Sequence, residues 1–331
     1  MRFRTIASVV AGAAALALAV SGCSSSSTPS ASSVASAAQS VASQAQSVAS
    51  QAQSAVSQAQ SAASSAVGAA QSAVSAAVSG AVADSQVLAS AKNGKLVVGI
   101  KFTQPGLGVK NPDGTFSGFD VEVAKYVANE LGVDPANIEF VEANSAQRED
   151  LIAKGQVDYI VATYSITDAR KQKVNFAGPY FIAHQDLLVK SDNTDITGPA
   201  AMSGKILCSV TGSTSAQKIK DTYAADVALQ EYPTYSDCVD ALLTGSVDAV
   251  TTDDVILAGF AAQHPGQLKV VGKGFSDENY GIGLKLDDTA GTAAINAAIV
   301  SMIADGSWKK ALEDTVGPSG YTIPAAPTPS S

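Results

Sequence analysis

Histidine and cysteine are scarce in this chain of 331 residues, which holds two of the first and three of the second. His184 and His264 lie 80 residues apart, with no cysteine or carboxylate at metal-ligand spacing. Little material is left for a transition-metal site or a triad enzyme, so neither a metal nor a cofactor is expected. Positive charge is short as well: 21 Lys and Arg stand against 30 Asp and Glu, a net charge of −9. A nucleic-acid binder needs clustered Lys and Arg to neutralise phosphate, so that class is excluded. Charged residues make up 15% of the chain, against about 25% in ordinary soluble domains. The deficit has a location, since residues 1–83 carry only Arg2 and Arg4. The length itself predicts two domains with appendages, at about 100–200 residues each.

The amino terminus reads as an address. Arg2 and Arg4 precede an apolar stretch, Ile6 to Val20, that is too short and too alanine-rich for a membrane span. It ends in Val20-Ser21-Gly22-Cys23, which resembles a bacterial lipobox. The resemblance implies that Cys23 takes lipid and that residues 1–22 are a signal peptide. Anchoring by more than one acyl chain is stable where a single chain is marginal. The expected location is therefore the outer face of the cytoplasmic membrane. An ordinary secretory signal with a chance cysteine is the alternative. Outside the cytoplasm, the remaining pair Cys208 and Cys238 reads as a disulfide, with two buried free thiols as the other reading. Ser24 to Ala83 is almost wholly Ser, Ala, Gln and Val, and Ser-Val-Ala-Ser-Gln-Ala-Gln repeats at Ser40 and Ser47. Alanine and glutamine favour helix, but the apolar stripe is small and has no flanking charges to set a coiled-coil partner. A partly helical tether is expected over a packed coil. It would serve as a spacer across a cell-wall layer, or as a low-complexity insertion with no partner.

From Lys95 the pattern changes. Leu96–Ile100 is a short apolar run, Gly118–Val127 has helical spacing with Gly132 as its stop, and Ile138–Val141 is a strand. A helix over Gln147–Ala153 and a strand over Val157–Ala162 come next, and the rhythm restarts at Lys205 with Ile206–Val210. Alternation of this kind predicts parallel sheets covered by helices. Strand-like Ile182–Val189 and Tyr280–Leu286 flank the second unit, as crossings between two lobes.

These residues carry a resemblance. Gly118-Phe119-Asp120-Val121-Glu122-Val123-Ala124, Gly155-Gln156-Val157-Asp158, Thr167-Asp168-Ala169-Arg170, Val174-Asn175-Phe176 and Pro179-Tyr180 stand in order. Together they resemble the polar-amino-acid group of extracytoplasmic solute-binding proteins of ABC importers, and most of all the glutamate-binding lipoproteins of actinobacteria. The resemblance covers most of Lys95 to Tyr321. It implies an α/β fold of the periplasmic-binding-protein-like type II, with two lobes joined by two crossing strands and closing on ligand. It implies an amino-acid ligand and the permease subunits of an ABC transporter as partners. The expected organisation is a signal peptide over 1–22, a tether over 23–84, a first lobe over 85–190 and 280–323, a second lobe over 191–279, and a disordered tail over 324–331.

An amino acid loses water from its carboxylate, ammonium and side chain when a cleft closes, so each needs a partner. The resemblance assigns the α-carboxylate to Arg170, whose guanidinium can bind it with two hydrogen bonds. A surface salt bridge between Arg170 and Asp168 is the alternative. Thr163 and Ser165 come after the Val157–Ala162 strand, where ligands sit in open α/β sheets. Ser213 and Thr214 come after a second-lobe strand and open a helix, a natural carboxylate site, and they also read as a plain N-cap. Asp253 matches the acceptor of the α-ammonium. Lys101, and Arg148 with Ser145, hold the positions that are basic in relatives binding acidic ligands. Lys101 stands where arginine is commoner. They equally read as solvent-facing or structural residues. Gln104 and Tyr235 are candidates at the cleft edge; Tyr235 takes a place that is histidine in some of those relatives.

Lys101, Arg148, Arg170 and Asp253 leave two positive charges, which favours glutamate over glutamine. Leaving one partner of a buried pair alone costs about 2–5 kcal/mol, roughly thirty-fold to several-thousand-fold in affinity. Aspartate, one methylene shorter, is harder to exclude, and asparagine shares the alternative with glutamine. An enzyme on this fold would need a titratable group beside the substrate; Asp253 is the one convincing carboxylate, and an ammonium satisfies it. A sensory role would need a membrane-spanning partner. Trp308, near Leu312, reads as a packing anchor.

Overall fold

The computed structural model describes residues 84–329, together with Ser43, residues 46–48 and 50–58, Ser61 and Ser65. The signal peptide and Cys23 lie outside the described residues. The chain divides into two units, Met1–Ala73 and Val74–Ser331. The described part of the first is helical and exposed. Its serines satisfy their own hydroxyls: Ser50, Ser54, Ser57 and Ser65 each donate to the carbonyl four residues back, at 2.8–3.0 Å. That bonding lets a serine-rich segment adopt helix without a partner for its side chains. No helix among the described residues is long and apolar enough to cross a membrane.

The second unit opens with α1 (Gln86–Lys92), whose N-cap Ser85 accepts from Leu88 N–H and donates to Asp288. β1 (Leu96–Ile100) is followed by β2 (Thr103–Gln104), β3 (Gly108–Lys110) and β4 (Phe116–Ser117), which form a small antiparallel sheet of their own. α2 (Phe119–Glu130), β5 (Ile138–Glu142), α3 (Arg148–Ala153), β6 (Tyr159–Ile160) and α4 (Asp168–Lys171) then complete the first parallel unit. β5, β1 and β6 lie side by side in it. The buried face of α2, with Phe119, Val123 and Val127, covers Leu96, Val98 and Ile100.

β7 (Val174–Lys190) is the long strand of the molecule. Its first part pairs with β12 (Asp277–Lys285), and Gln185–Leu188 pair with β10 (Ala249–Asp253). Between them lie β8 (Ile206–Val210), α5 (Ser215–Thr222), β9 (Ala228–Tyr232), α6 (Tyr235–Thr244), α7 (Asp254–Gln263) and β11 (Leu268–Val270). β8 sits between β9 and β10 in parallel, and β11 pairs with the end of β7. The result is a two-lobe α/β fold whose lobes are joined by β7 and β12. Gln185–Lys190, expected with the first lobe, pair with second-lobe strands instead. One unbroken strand carries the change of lobe.

α8 (Thr289–Ala304) and α9 (Ser307–Thr315) return to the first lobe, where Trp308 Nε1 donates to the Tyr180 carbonyl at 2.7 Å. The chain then crosses back, and the Tyr321 hydroxyl donates to Asp254 at 3.1 Å. The segment 324–329 has no helix or strand, and Pro327 in it is buried. A proline-rich composition removes backbone donors without removing apolar surface.

Cys208 on β8 and Cys238 on α6 form a disulfide with their Cα atoms 5.7 Å apart. It pins α6 to the sheet beside Ser213 and Tyr235. Two glycines mark where the lobes meet. Gly212 has φ of +81°, and a Cβ there would stand 2.7 Å from the Ala146 backbone of the first lobe. A Cβ on Gly259 of α7 would stand 2.4 Å from the Pro105 carbonyl oxygen. Both contacts are backbone, which cannot rotate aside.

Reduction of the disulfide, or Cys238→Ala with Cys208→Ala, is expected to cost about 3 kcal/mol by the chain-entropy account; calorimetry would register this as a Tm lower by several degrees. Gly259→Ala is expected to hold the lobes apart. Alanine favours helix by about 1 kcal/mol over glycine, so the helix itself gains while small-angle scattering shows a larger radius of gyration.

Candidate ligand-binding site

The sheets converge on one cavity. Ser145 lies beyond β5, Thr163 and Ser165 beyond β6, Ser213 and Thr214 beyond β8, and Asp253 ends β10. These are the carboxyl ends of parallel strands, where side chains from separate strands can meet without obstructing the sheet. Arg148 and Arg170 reach the same space from α3 and α4, and Ser215, Tyr235, Thr252 and Ile256 complete the wall. The free space between these side chains is about 20 Å³, well below the roughly 300–1,000 Å³ of small-ligand sites.

Arg170 is buried and spans the two lobes. Its Nη1 donates to the Ser165 carbonyl at 2.9 Å, and Nη2 donates to the Gly212 carbonyl at 3.1 Å. Its Nε lies 3.7 Å from Glu149, while Asp168 pairs with Lys171. The alternative bridge to Asp168 is therefore not formed. Arg148 is buried with its guanidinium 3.9 Å above the Tyr164 ring, and the same ring lies 5.1 Å from Arg170. The Tyr164 hydroxyl donates to Glu149 at 2.7 Å. One aromatic floor and one carboxylate thus serve both guanidinium groups, whose mutual repulsion would otherwise be unrelieved. Arg148 Nη1 donates to the Ala162 carbonyl at 3.1 Å, and its Nε has no hydrogen-bond partner. Burial, then repulsion from Arg170, pulls the Arg148 guanidinium down to about 10.

Lys101 is not in the cavity wall. Its ammonium donates to Ser145 Oγ at 2.9 Å, so it acts on the cavity through that hydroxyl. Burial, and next the charge of Arg148, holds it well below the ordinary lysine value. Gln104 is likewise one step behind, with its Oε1 3.2 Å from Thr163 Oγ1 and its buried Nε2 unpartnered. Among the described residues no ion pair involves Lys101 or Arg148.

On the second lobe, Ser213, Thr214 and Ser215 lead into α5, and Ser213 Oγ accepts from Ser215 N–H at 3.2 Å. The Tyr235 hydroxyl donates to Ser213 Oγ at 3.3 Å. Tyr235 sits in the wall itself rather than at its edge. Asp253 accepts a hydrogen bond from the Tyr280 hydroxyl of β12. Burial, then the nearby charge of Glu278, pushes the Asp253 carboxyl up to about 7. No cluster among the described residues has the makings of a metal site.

Glu149 and Tyr164 are the residues that sequence reasoning missed. Glu149 adjoins Arg148 in the chain, which is a weak signal on a helix, because successive residues do not face one another. Its partner Tyr164 stands 15 residues away and reaches it only when β6 is folded against α3. With Glu149 counted, the excess of two positive charges falls to one.

Such a cavity, with cations on one wall, a carboxylate opposite and a helix start beside it, suits a zwitterion. Comparison with known proteins agrees. Residues 96–317 match the family described as bacterial extracellular solute-binding proteins, family 3. The chain is 51% identical over 246 residues to the glutamate-binding protein GluB of Corynebacterium glutamicum, covering 71% of this chain and 83% of that one. It is 37% identical over 223 residues to the ABC transporter glutamine-binding protein GlnH of Bacillus subtilis, covering 67% and 81%. A solved structure of an ancestral arginine-binding protein bound to glutamine superposes with a TM-score of 0.64 at 35% identity, covering 68% of this chain and 98% of that one. The chain belongs to family 3 of the bacterial extracellular solute-binding proteins.

Proposed function

We propose that this amino-acid substrate-binding protein captures L-glutamate between its lobes and delivers it to an ABC permease, held to the outer face of the membrane through a lipid on Cys23. The protein presents its ligand unchanged and catalyses nothing. One observation carries the choice of ligand: Arg148 is buried in the cavity wall with Lys101 behind Ser145, and neither has a carboxylate partner among the described residues. In this reading the γ-carboxylate of glutamate takes Arg148 and Ser145. Arg170, Ser165 and the start of α5 take the α-carboxylate, whose charge the helix dipole also favours. Asp253 takes the α-ammonium. Lys101, Arg148 and Arg170 against Glu149 and Asp253 leave one positive charge, and glutamate at neutral pH brings one negative charge. Glutamine would leave the excess buried. The relative named for glutamate is more similar than the one named for glutamine, which supports the same choice. The serine-rich segment is read as the spacer between lipid and lobes.

Calorimetric titration of the protein with the twenty amino acids tests the proposal. Glutamate is expected to bind at least about thirty-fold more tightly than glutamine. Arg148→Gln should remove most of that difference, and Lys101→Met a smaller part because it acts through Ser145. A preference for glutamine, aspartate or asparagine in the unaltered protein would overturn the assignment.

Asp253 sets a pH dependence. Its carboxyl titrates at about 7 in the unliganded cavity, and an ammonium beside it favours the charged form and lowers that value. Binding below pH 7 therefore releases a proton. Affinity is full above pH 7 and falls as pH drops through it, by up to about tenfold per unit for one proton. Titrations between pH 5 and 8 in buffers of different ionisation enthalpy would measure both the slope and the proton. A flat profile would remove Asp253 as the ammonium acceptor.

A further inference from the structure

The corner at Thr163 is a strained point of the cavity wall. Thr163 has φ of 45°, in the left-handed region. A β-branched residue is a genuine outlier there, and such a conformation persists only where the surroundings over-determine it. The Thr163 hydroxyl is held by Gln104 and by the Ala162 carbonyl, and its backbone N–H by one buried side chain. Asp120, at the start of α2, accepts the Thr163 N–H on Oδ2 at 3.0 Å and the Tyr180 hydroxyl on Oδ1 at 2.7 Å. Tyr180 lies on β7, so the carboxylate is itself fixed by a strand that joins the lobes. The corner in turn aims two carbonyls at one guanidinium: Arg148 Nη1 lies 3.1 Å from the Ala162 oxygen and 3.5 Å from the Thr163 oxygen. The Arg148 Nε is unpartnered, and the guanidinium otherwise rests on the Tyr164 ring. Asp120 also belongs to the Gly118–Ala124 motif, which the ligand assignments leave unexplained.

We infer that Asp120 is a positioning residue for ligand binding: by accepting the Thr163 N–H it holds the corner in its left-handed conformation, and the corner aims Arg148 into the cavity. Asp120 touches no ligand in this arrangement. The inference rests on the cavity being the amino-acid site, and holds whether that amino acid is glutamate or glutamine.

A double-mutant cycle separates positioning from mere core packing. Glycine adopts φ above zero without strain, so Thr163→Gly removes the need for the restraint. Asp120→Ala, Thr163→Gly and the double variant are titrated with glutamate and with glutamine, and the ligand-free Tm of each is recorded. Asp120→Ala is expected to weaken binding at least tenfold in the Thr163 background and less than threefold in the Thr163→Gly background. Asp120→Asn, whose amide oxygen can accept the same N–H, is expected to stay within threefold of the unaltered protein. Burial pushes the Asp120 carboxyl up to about 7, so a neutral group is tolerated at this position. Should Asp120→Ala fail to fold, Asp120→Leu, which keeps the branching at Cγ without an acceptor, takes its place. Equal losses in the two backgrounds, or no loss in Asp120→Ala, would overturn the inference. A preference for glutamine in the unaltered protein would overturn the glutamate reading alone, and the cycle is then read with glutamine.

Discussion

Three cations drawn together away from water are the constraint on which this structure depends. Lys101, Arg148 and Arg170 are all buried, and like charges at this range repel strongly where water is excluded. Leaving a charge buried without a counter-charge costs several kcal/mol. The fold answers locally. The Tyr164 ring lies under both guanidinium groups and its hydroxyl holds Glu149 beside Arg170. Cation–π contacts of this kind are worth about 0.5–2 kcal/mol each, enough to moderate the repulsion and too little to cancel it. In the proposed reading the residual charge is what the ligand completes, so stability of the closed form and capture of an anion become one electrostatic event.

The two strands that join the lobes hold a carboxylate on each side. Tyr280 and Tyr180 stand on the two strands that join the lobes, with their rings 6.0 Å apart. Each donates to a buried carboxylate of a different lobe, Tyr280 to Asp253 and Tyr180 to Asp120. Closure then rests on close backbone approach: Arg170 reaches across to the Gly212 carbonyl, and Gly259 admits the Pro105 carbonyl. At Gly212 and Gly259 the lobes meet without a glycine side chain between them.

How much of this the residues announce depends on the range of the interaction. The alternation of β1, α2, β5, α3 and β6 can be read from apolar runs and spacing, because each element is specified within its own few residues. The sheet of β2, β3 and β4 has strands of two or three residues, too short to show any period, and it passes unnoticed. The crossing at β7 can be read from its strand-like residues, but the point within it where one lobe gives way to the other cannot, since the strand runs unbroken through both sets of pairings. In the cavity, Ser145, Thr163, Ser165, Ser213, Thr214 and Asp253 stand together because each falls at or just beyond a strand end, which sequence pattern can place, and Arg148 and Arg170 join them from α3 and α4. Lys101 and Gln104 also fall at strand ends but point behind the wall. Which way a side chain turns from a strand end is decided by neighbours from other strands, and a linear pattern does not carry that.

Glu149 bears the largest consequence of that gap. Charge counting along the sequence leaves the cavity with an excess of two, a surplus that a singly charged ligand could not complete. Folding brings in a carboxylate whose neighbour in space, Tyr164, is distant in the chain, and the excess becomes one. In the proposed reading, a ligand of net charge −1 then matches the excess counted over Lys101, Arg148, Arg170, Glu149 and Asp253. Glu149 also divides the labour between the arginines. Arg170, with Glu149 against its Nε and two carbonyls on its Nη atoms, is already well satisfied and can bind an α-carboxylate that every amino acid carries. Arg148, with its Nε free and only carbonyls and a ring around it, gains most from a second anion. In the proposed reading, discrimination between acidic and neutral ligands falls to Arg148, and the residues that aim it have as much bearing on specificity as the guanidinium itself.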